Sequence, residues 1–330
     1  MTDPHSMLPP FSWQSFWQHS HFPLGWNLVA IVLLVGYVAG LAVARRRTGS
    51  SPVSGVRVGC WVLGVVSLVL TIDSAIDIYG DGLFYVHMIE HLMLIMVVPA
   101  FFVLGHPLTV LRAALSPSGR ERFDRVVRSM PIAVLTNPLV GVAVYSLVIV
   151  ETHLTPFMDG MMRHPWLGAV EQVLYLAAGY LILLTLIGYE PIRWRLTPLF
   201  RIAICVIAMT ADTVVGIVLM QSDTDLFPML AAHRPMGAPS PVHDQHIGGG
   251  IMWAGGDGLM TLFAIAMVIV LIADPARDQV AGAWLEGVRR QTLADHVGEQ
   301  SLVASLDVDS DDEALAAYNR MLGRLGNSPD

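Results

Sequence analysis

A chain of 330 residues that is 54% hydrophobic and 14% charged, with a mean hydropathy of +0.58, is too apolar for a water-soluble domain of this length. Its formal net charge of −8 comes largely from an acidic stretch near the C-terminus, so it says little about a substrate and marks no nucleic-acid-binding surface. What remains is an all-α integral membrane protein.

The first 24 residues hold Phe11, Trp13, Phe16 and Trp17, aromatics that suit a short segment lying in the outer membrane interface. Apolar runs of about 20 residues, the length that crosses roughly 30 Å of hydrocarbon, then follow from Gly25 to Ala44, Val58 to Ile78, Leu83 to Leu104, Asn137 to His153, Leu167 to Gly188, Leu199 to Met220 and Gly248 to Ala273. Residues 25–273 therefore read as a bundle of seven transmembrane helices. The first run is not expected to be a cleaved signal peptide, because no basic residue precedes it and "ARRR" follows directly. Residues 274–330 read as an acidic cytoplasmic tail with a short amphipathic helix, since Leu315, Ala316, Tyr318, Met321 and Leu325 recur at helical spacing.

The chain has no lysine, so its 19 basic residues are all arginines, and all but Arg163 and Arg234 fall in loops after odd-numbered spans or in the tail. The positive-inside rule then predicts an outer N-terminus and a cytoplasmic C-terminus. In that orientation ten of the 12 histidines lie outside or in the outer part of a span, His106 and His296 being the exceptions.

Polar residues inside the spans carry the functional signal. A charge near the bilayer centre costs about 2.5–3.5 kcal/mol while each Leu returns only about 0.5, so such groups face protein or water. In the third span, "YVHMIEHLMLIMVVP", His87, Glu90 and His91 project onto one helical arc about 100° wide, whereas Met88, Met93 and Met96 point elsewhere. Imidazoles at i and i+4 can reach one ion. Asp73 and Asp77 share the same spacing at the end of the second span, across a short turn from the histidines. Glu171, Asp212, Asp244 and Asp257, on or beside later spans, are further acids of an expected outer cavity.

Several chemistries compete for these residues. His87, Glu90 and His91 spell H-x-x-E-H, the inverted zinc-hydrolase motif in which Glu activates water. Asp73, Asp77, Asp212 and Glu171 would also serve a proton-coupled transporter. A retinal protein needs a Schiff-base lysine, which is absent. Haem ligation commonly takes histidines from two facing helices rather than one. Cys60 and Cys205 stand alone without a C-x-x-C, so no thiol copper shuttle is available.

"HMIEHLMLIMVVPAFFVLGHPL", "ETHLTPFMDGMMRHPWLGAVEQ" and "DQHIGGGIMWAGG" together resemble the multi-spanning CtaG-like family of bacterial cytochrome c oxidase assembly proteins, over roughly Trp13 to Ala273. The most specific elements are His87 and His91 ahead of Pro99, Gly105 and Pro107, and Asp244 and Gln245 ahead of Met252 and Trp253. The resemblance implies a non-enzymatic, multi-pass protein of the bacterial cell membrane that helps mature a haem-copper oxidase. It would do so by supplying copper, held transiently, to the outer-facing centre of the copper-binding subunit; zinc is the weaker alternative. It makes His87 and His91 the first copper ligands, with His153, His164 and His246 next. In one respect the chain departs from the family, whose fifth span tends to carry Glu-His where Glu171 and Gln172 stand here, and Gln is a far weaker copper ligand.

Overall fold

The structure, a computed structural model, describes residues 8–272 apart from residues 165, 195, 232 and 233. The expected tail helix and the arginines beyond Ala273 lie outside the described residues, whose regular secondary structure is helix alone. Helix α1 (Trp13–Gln18) is capped by a reciprocal Ser12–Ser15 pair. Helix α2 (Leu24–Thr48) ends at Gly49, whose φ of 75° closes a left-handed cap beside Arg45, Arg46 and Arg47.

The second span ends earlier than the hydropathy predicts. Helix α3 (Gly55–Asp73) stops where Ser74 turns extended, and the Ser74 hydroxyl accepts the Ile76 N–H to start a separate short helix, α4 (Ala75–Gly80). Asp73 and Asp77 are therefore not one helical i, i+4 pair, as their spacing implied.

The third span is segmented. Helix α5 (Phe84–Leu92) passes into a π-helical turn (Met93–Val97), then α6 (Val98–Leu104), and after His106, at φ 54°, into α7 (Pro107–Ala114). Pro99 explains the wide turn, because it has no N–H to give the Ile95 carbonyl four residues back and its ring crowds that carbonyl. The same carbonyl lies against Gly179 of α12 (Trp166–Leu186), where a Cβ would fall 1.9 Å from the Ile95 oxygen. Only glycine allows the two backbones to meet there.

Helices α8 (Pro117–Val127) and α9 (Met130–Leu135) lead to α10 (Pro138–Leu154), whose chain bends by 68° at Thr155 and Pro156 into α11 (Phe157–Arg163). Helix α13 (Pro198–Gln221), the short α14 (Pro228–Ala231) and α15 (Pro241–Ile272) complete the order. Among the described residues six helices are long and apolar enough to cross a membrane, and the bent α10–α11 pair passes the same test only if both parts form one span. Helix α15 starts at Pro241, so Asp244, Gln245 and His246 lie on its first turns rather than in a loop before Gly248.

The packing places α12 centrally, against α6, the π turn, α10 and α13, while α2 packs on α3 and α7. Leu28, Val32 and Val35 of α2 and Val206 and Ile207 of α13 face outward, whereas His87, His91, His153, Glu171, Asp212 and Asp244 are buried. An apolar exterior around a polar interior is what lipid as solvent demands.

Candidate metal centre

Helix α5 owes its position to an acid from the far end of the chain. Leu83 offers no side-chain cap, and the Asp244 carboxylate instead accepts the backbone N–H groups of Phe84 and Tyr85, each at 3.0 Å. Fully buried, Asp244 also pairs with Arg234 at 3.0 Å. A carboxylate at a helix N-terminus satisfies orphan donors and complements the helix dipole. It thereby fixes the rotation and height of His87 and His91 one and two turns further on.

Both imidazoles point at α12. His87 Nε2 lies 3.8 Å from Glu171 Oε2 and His91 Nε2 lies 3.5 Å from Glu171 Oε1, too long for strong hydrogen bonds. One atom from each of His87, His91 and Glu171 falls within 4.8 Å of the others, and among the described residues no other trio of His, Cys, Asp or Glu does this. Three donors each 2.0–2.1 Å from a central ion stand about 3.3–3.6 Å apart, so the spacing fits an ion after small shifts.

The surrounding hydrogen bonds decide which face of each ring is free. His153 on α10 holds Nδ1 2.9 Å from the Ile149 carbonyl, which can only accept, so Nδ1 carries the proton. In the neutral ring Nε2 is then an acceptor, and it receives the His91 Nδ1 proton at 3.3 Å. That leaves His91 Nε2 as a bare lone pair facing Glu171. Tyr175, one turn after Glu171, stacks on His91 with ring centroids 3.9 Å apart and contacts Thr152 Oγ1 at 2.6 Å. The ring is thus held by a hydrogen bond and a stacking face, the outer support that metal-binding histidines ordinarily have.

Three buried atoms of this trio, His87 Nε2, His91 Nε2 and Glu171 Oε1, have no hydrogen-bond partner among the described residues. Each such atom costs about 1–3 kcal/mol if left unsatisfied. His91 Nε2 and Glu171 Oε1 are acceptors, and with the His87 proton on Nδ1 so is His87 Nε2; a cation then satisfies all three where a further hydrogen-bond acceptor could not.

Glu90, although on the same arc, faces another group. Gln172 Nε2 donates to Glu90 Oε1 and to Asp77 Oδ1, each at 2.8 Å, while Gln172 Oε1 accepts the Trp26 indole N–H at 2.7 Å. Gly80 leaves room for Glu90, since a Cβ there would stand 3.1 Å from Glu90 Oε2. Consecutive residues of α12 therefore serve two clusters: Glu171 meets the histidines, and Gln172 ties the Asp77–Glu90 pair to α2. Gln172, where the resemblance leads to the expectation of a histidine, thus falls on the second cluster.

The other expected residues are dispersed. His153 supports His91 directly. His164 is exposed at the end of α11, outside the buried group. His246 directs Nε2 to the Ser222 carbonyl at 3.0 Å. Asp73 accepts from Asn27 Nδ2 at 2.9 Å, and Asp77 also meets His21 at 3.1 Å. Asp212 accepts the Tyr145 hydroxyl at 2.6 Å, and Asp257 the Thr213 hydroxyl at 2.8 Å. A narrow cavity of about 10 Å³ separates Asp212 from His91 and Tyr175. Tyr175 and Thr152 were not among the residues expected from sequence. For Tyr175 the signal was its i+4 spacing from Glu171; Thr152 carried none beyond adjacency to His153.

A sequence profile of the cytochrome c oxidase caa3 assembly factors matches residues 35–285. Uncharacterised proteins of Mycobacterium bovis and Mycobacterium leprae are 30% and 33% identical over 89% and 90% of the chain, which in turn covers 42% and 43% of their own lengths. The chain thus spans less than half the length of these curated relatives. No solved structure matches it. The extent of the profile match is decisive for membership: the chain belongs to the caa3-type cytochrome c oxidase assembly factor family.

Proposed function

We propose that the chain assists maturation of a haem-copper cytochrome c oxidase by holding a copper ion at His87, His91 and Glu171 and passing it to the copper-binding subunit. In this reading it sits in the bacterial plasma membrane with seven spans, α10 and α11 acting as one, the N-terminus outside and the tail in the cytoplasm. Family membership supports the assembly role, and the arginine distribution supports the orientation. The observation that carries the metal reading is the convergence of three buried ligand atoms without hydrogen-bond partners among the described residues.

The donor chemistry narrows the ion. Two imidazoles and a carboxylate, with no thiolate, suit Cu(II) better than Cu(I), and in the Irving–Williams order such a set binds Cu(II) more tightly than Zn(II). The hydrolase alternative needs Glu90 beside the metal-bound water, whereas Gln172 and Asp77 engage it in a separate cluster.

The test is metal analysis of detergent-purified protein after exposure to cupric ion, alongside oxidase maturation in cells. One ion per chain is expected, lost in the His87→Ala, His91→Ala double variant together with maturation of the oxidase copper centre. A double variant that still binds one ion, or that supports normal maturation, would refute the proposal.

A further inference from the structure

Resting on the reading of the trio as a metal site, we infer that the cavity beside His153 is the passage by which the ion enters and leaves, with Asp159 as its first ligand. The trio is buried on all sides, so an ion needs a route. One open cavity, of about 490 Å³, reaches toward it; His153, Thr155, Asp159, Val218 and Leu226 are among its lining residues. It exists because α10 breaks at Thr155 and Pro156, turning α11 aside.

His153 borders two spaces. It lines this open cavity and also the narrow one that contains His91 and Tyr175. One imidazole, 2% exposed, therefore stands between the mouth and the ligand His91, with its Nε2 3.3 Å from His91 Nδ1. On the wall of the mouth, Asp159 has a buried Oδ1 without a hydrogen-bond partner among the described residues. A carboxylate that lines an open cavity and keeps one oxygen buried and unpaired is suited to a cation shedding water. Val218 and Leu226 offer no competing ligand.

The mouth is also braced. Gln245 Oε1 accepts the Leu226 N–H at 2.9 Å while its Nε2 donates to the Leu219 carbonyl at 3.1 Å, pinning the loop before α14 to α13 and α15. The adjacent Asp244 and Gln245 thus divide the work: one sets the helix that carries the ligands, the other sets the wall of the passage. His153 Nε2 accepts either the His91 proton or an ion, not both at once. Passage therefore exchanges one partner for the other and restores the hydrogen bond once the ion is past.

The test uses the full chain in detergent, mixed rapidly with cupric ion, with the loading rate followed separately from the final stoichiometry. Leu226→Trp narrows the mouth and Asp159→Asn removes the first charge, while both leave the trio intact. Asp159→Asn is expected to slow loading by about tenfold or more, the lower end of what a charged cleft adds to the capture rate of an oppositely charged ion, and Leu226→Trp to slow loading and release alike, both at an unchanged one ion per chain. If Leu226→Trp fails to fold, the isosteric Asp159→Asn carries the test. Unchanged rates in a protein that still loads would overturn the passage alone, as would slowing by Asp77→Asn on the other side of α5 but not by these variants. An unaltered protein that takes up no cupric ion would overturn both the passage and the metal site.

Discussion

Asp244 accepts the backbone N–H of Phe84 at 3.0 Å across 160 residues of chain, and with the matching bond to Tyr85 it is the N-terminal cap of the helix that presents His87 and His91. Bonds to a charged acceptor are worth about 1.5–3 kcal/mol each, and breaking a buried ion pair from one side costs about 3–5 kcal/mol. Asp244→Ala strips both N–H groups and leaves Arg234 without its carboxylate. It is expected to lower the thermal unfolding midpoint in detergent and to weaken cupric-ion binding, with Asp244→Asn intermediate. An Asp244→Ala protein melting and binding like the unaltered chain would show that the cap does not position the histidines.

Gly179 is expected to be the least substitutable glycine of α12. A methyl group there would collide with the Ile95 carbonyl oxygen, a backbone atom inside the π turn that has no rotamer to yield. Overpacking of a tight contact costs about 1–3 kcal/mol and more where backbone must move. Gly179→Ala should therefore reduce the yield of folded protein in membranes, measured by detergent-resistant monomer on size exclusion, far more than Gly36→Ala, where no neighbour stands within 4 Å.

Much of this architecture is legible in the sequence because lipid imposes a strict code. Apolar length located six helices long enough to span, with a bent pair in place of the expected fourth, and the projection of His87, Glu90 and His91 onto one arc agrees with all three being buried. Proline and serine blurred the ends. Ser74 breaks α3 despite continuous hydropathy, and Pro241 starts α15 well before the glycines that resemble a start. The site was half legible. Two of the proposed ligands come from one helix and follow from spacing, but the approach of the third, Glu171, depends on how α12 packs against α5, which periodicity does not encode. The roles of Asp244 and Gln172 are equally tertiary, since their partners lie 160 and 82 residues away in the chain.

Orientation is open to a direct measurement. Reporters active only outside the cytoplasm, fused at the turn near Asp81 and after Asp274, should give signal at the first site alone, because all but two of the 19 arginines fall in the sequence after odd-numbered expected spans or in the tail. Signal at the second site would mean that α10 and α11 do not together form a span, or that the chain sits the other way round.

The two carboxylates beside the histidines should separate metal holding from hydrolysis. Glu171 is the one that faces both Nε2 atoms, at 3.5 and 3.8 Å, so Glu171→Gln removes the anionic ligand. It is expected to weaken cupric-ion binding by at least the 10–100-fold, roughly, that loss of an outer-shell partner costs. Glu90→Gln keeps an oxygen to accept the Gln172 N–H and leaves His87, His91 and Glu171 untouched. Its binding should stay within about tenfold of the unaltered protein, and oxidase maturation should persist. A water-activating Glu90 demands the reverse, since Gln cannot take the proton. A Glu90→Gln protein that is fully metal-loaded yet inactive in maturation would therefore transfer the argument from ion delivery to catalysis, whereas loss of metal in Glu171→Gln alone locates the function in the trio.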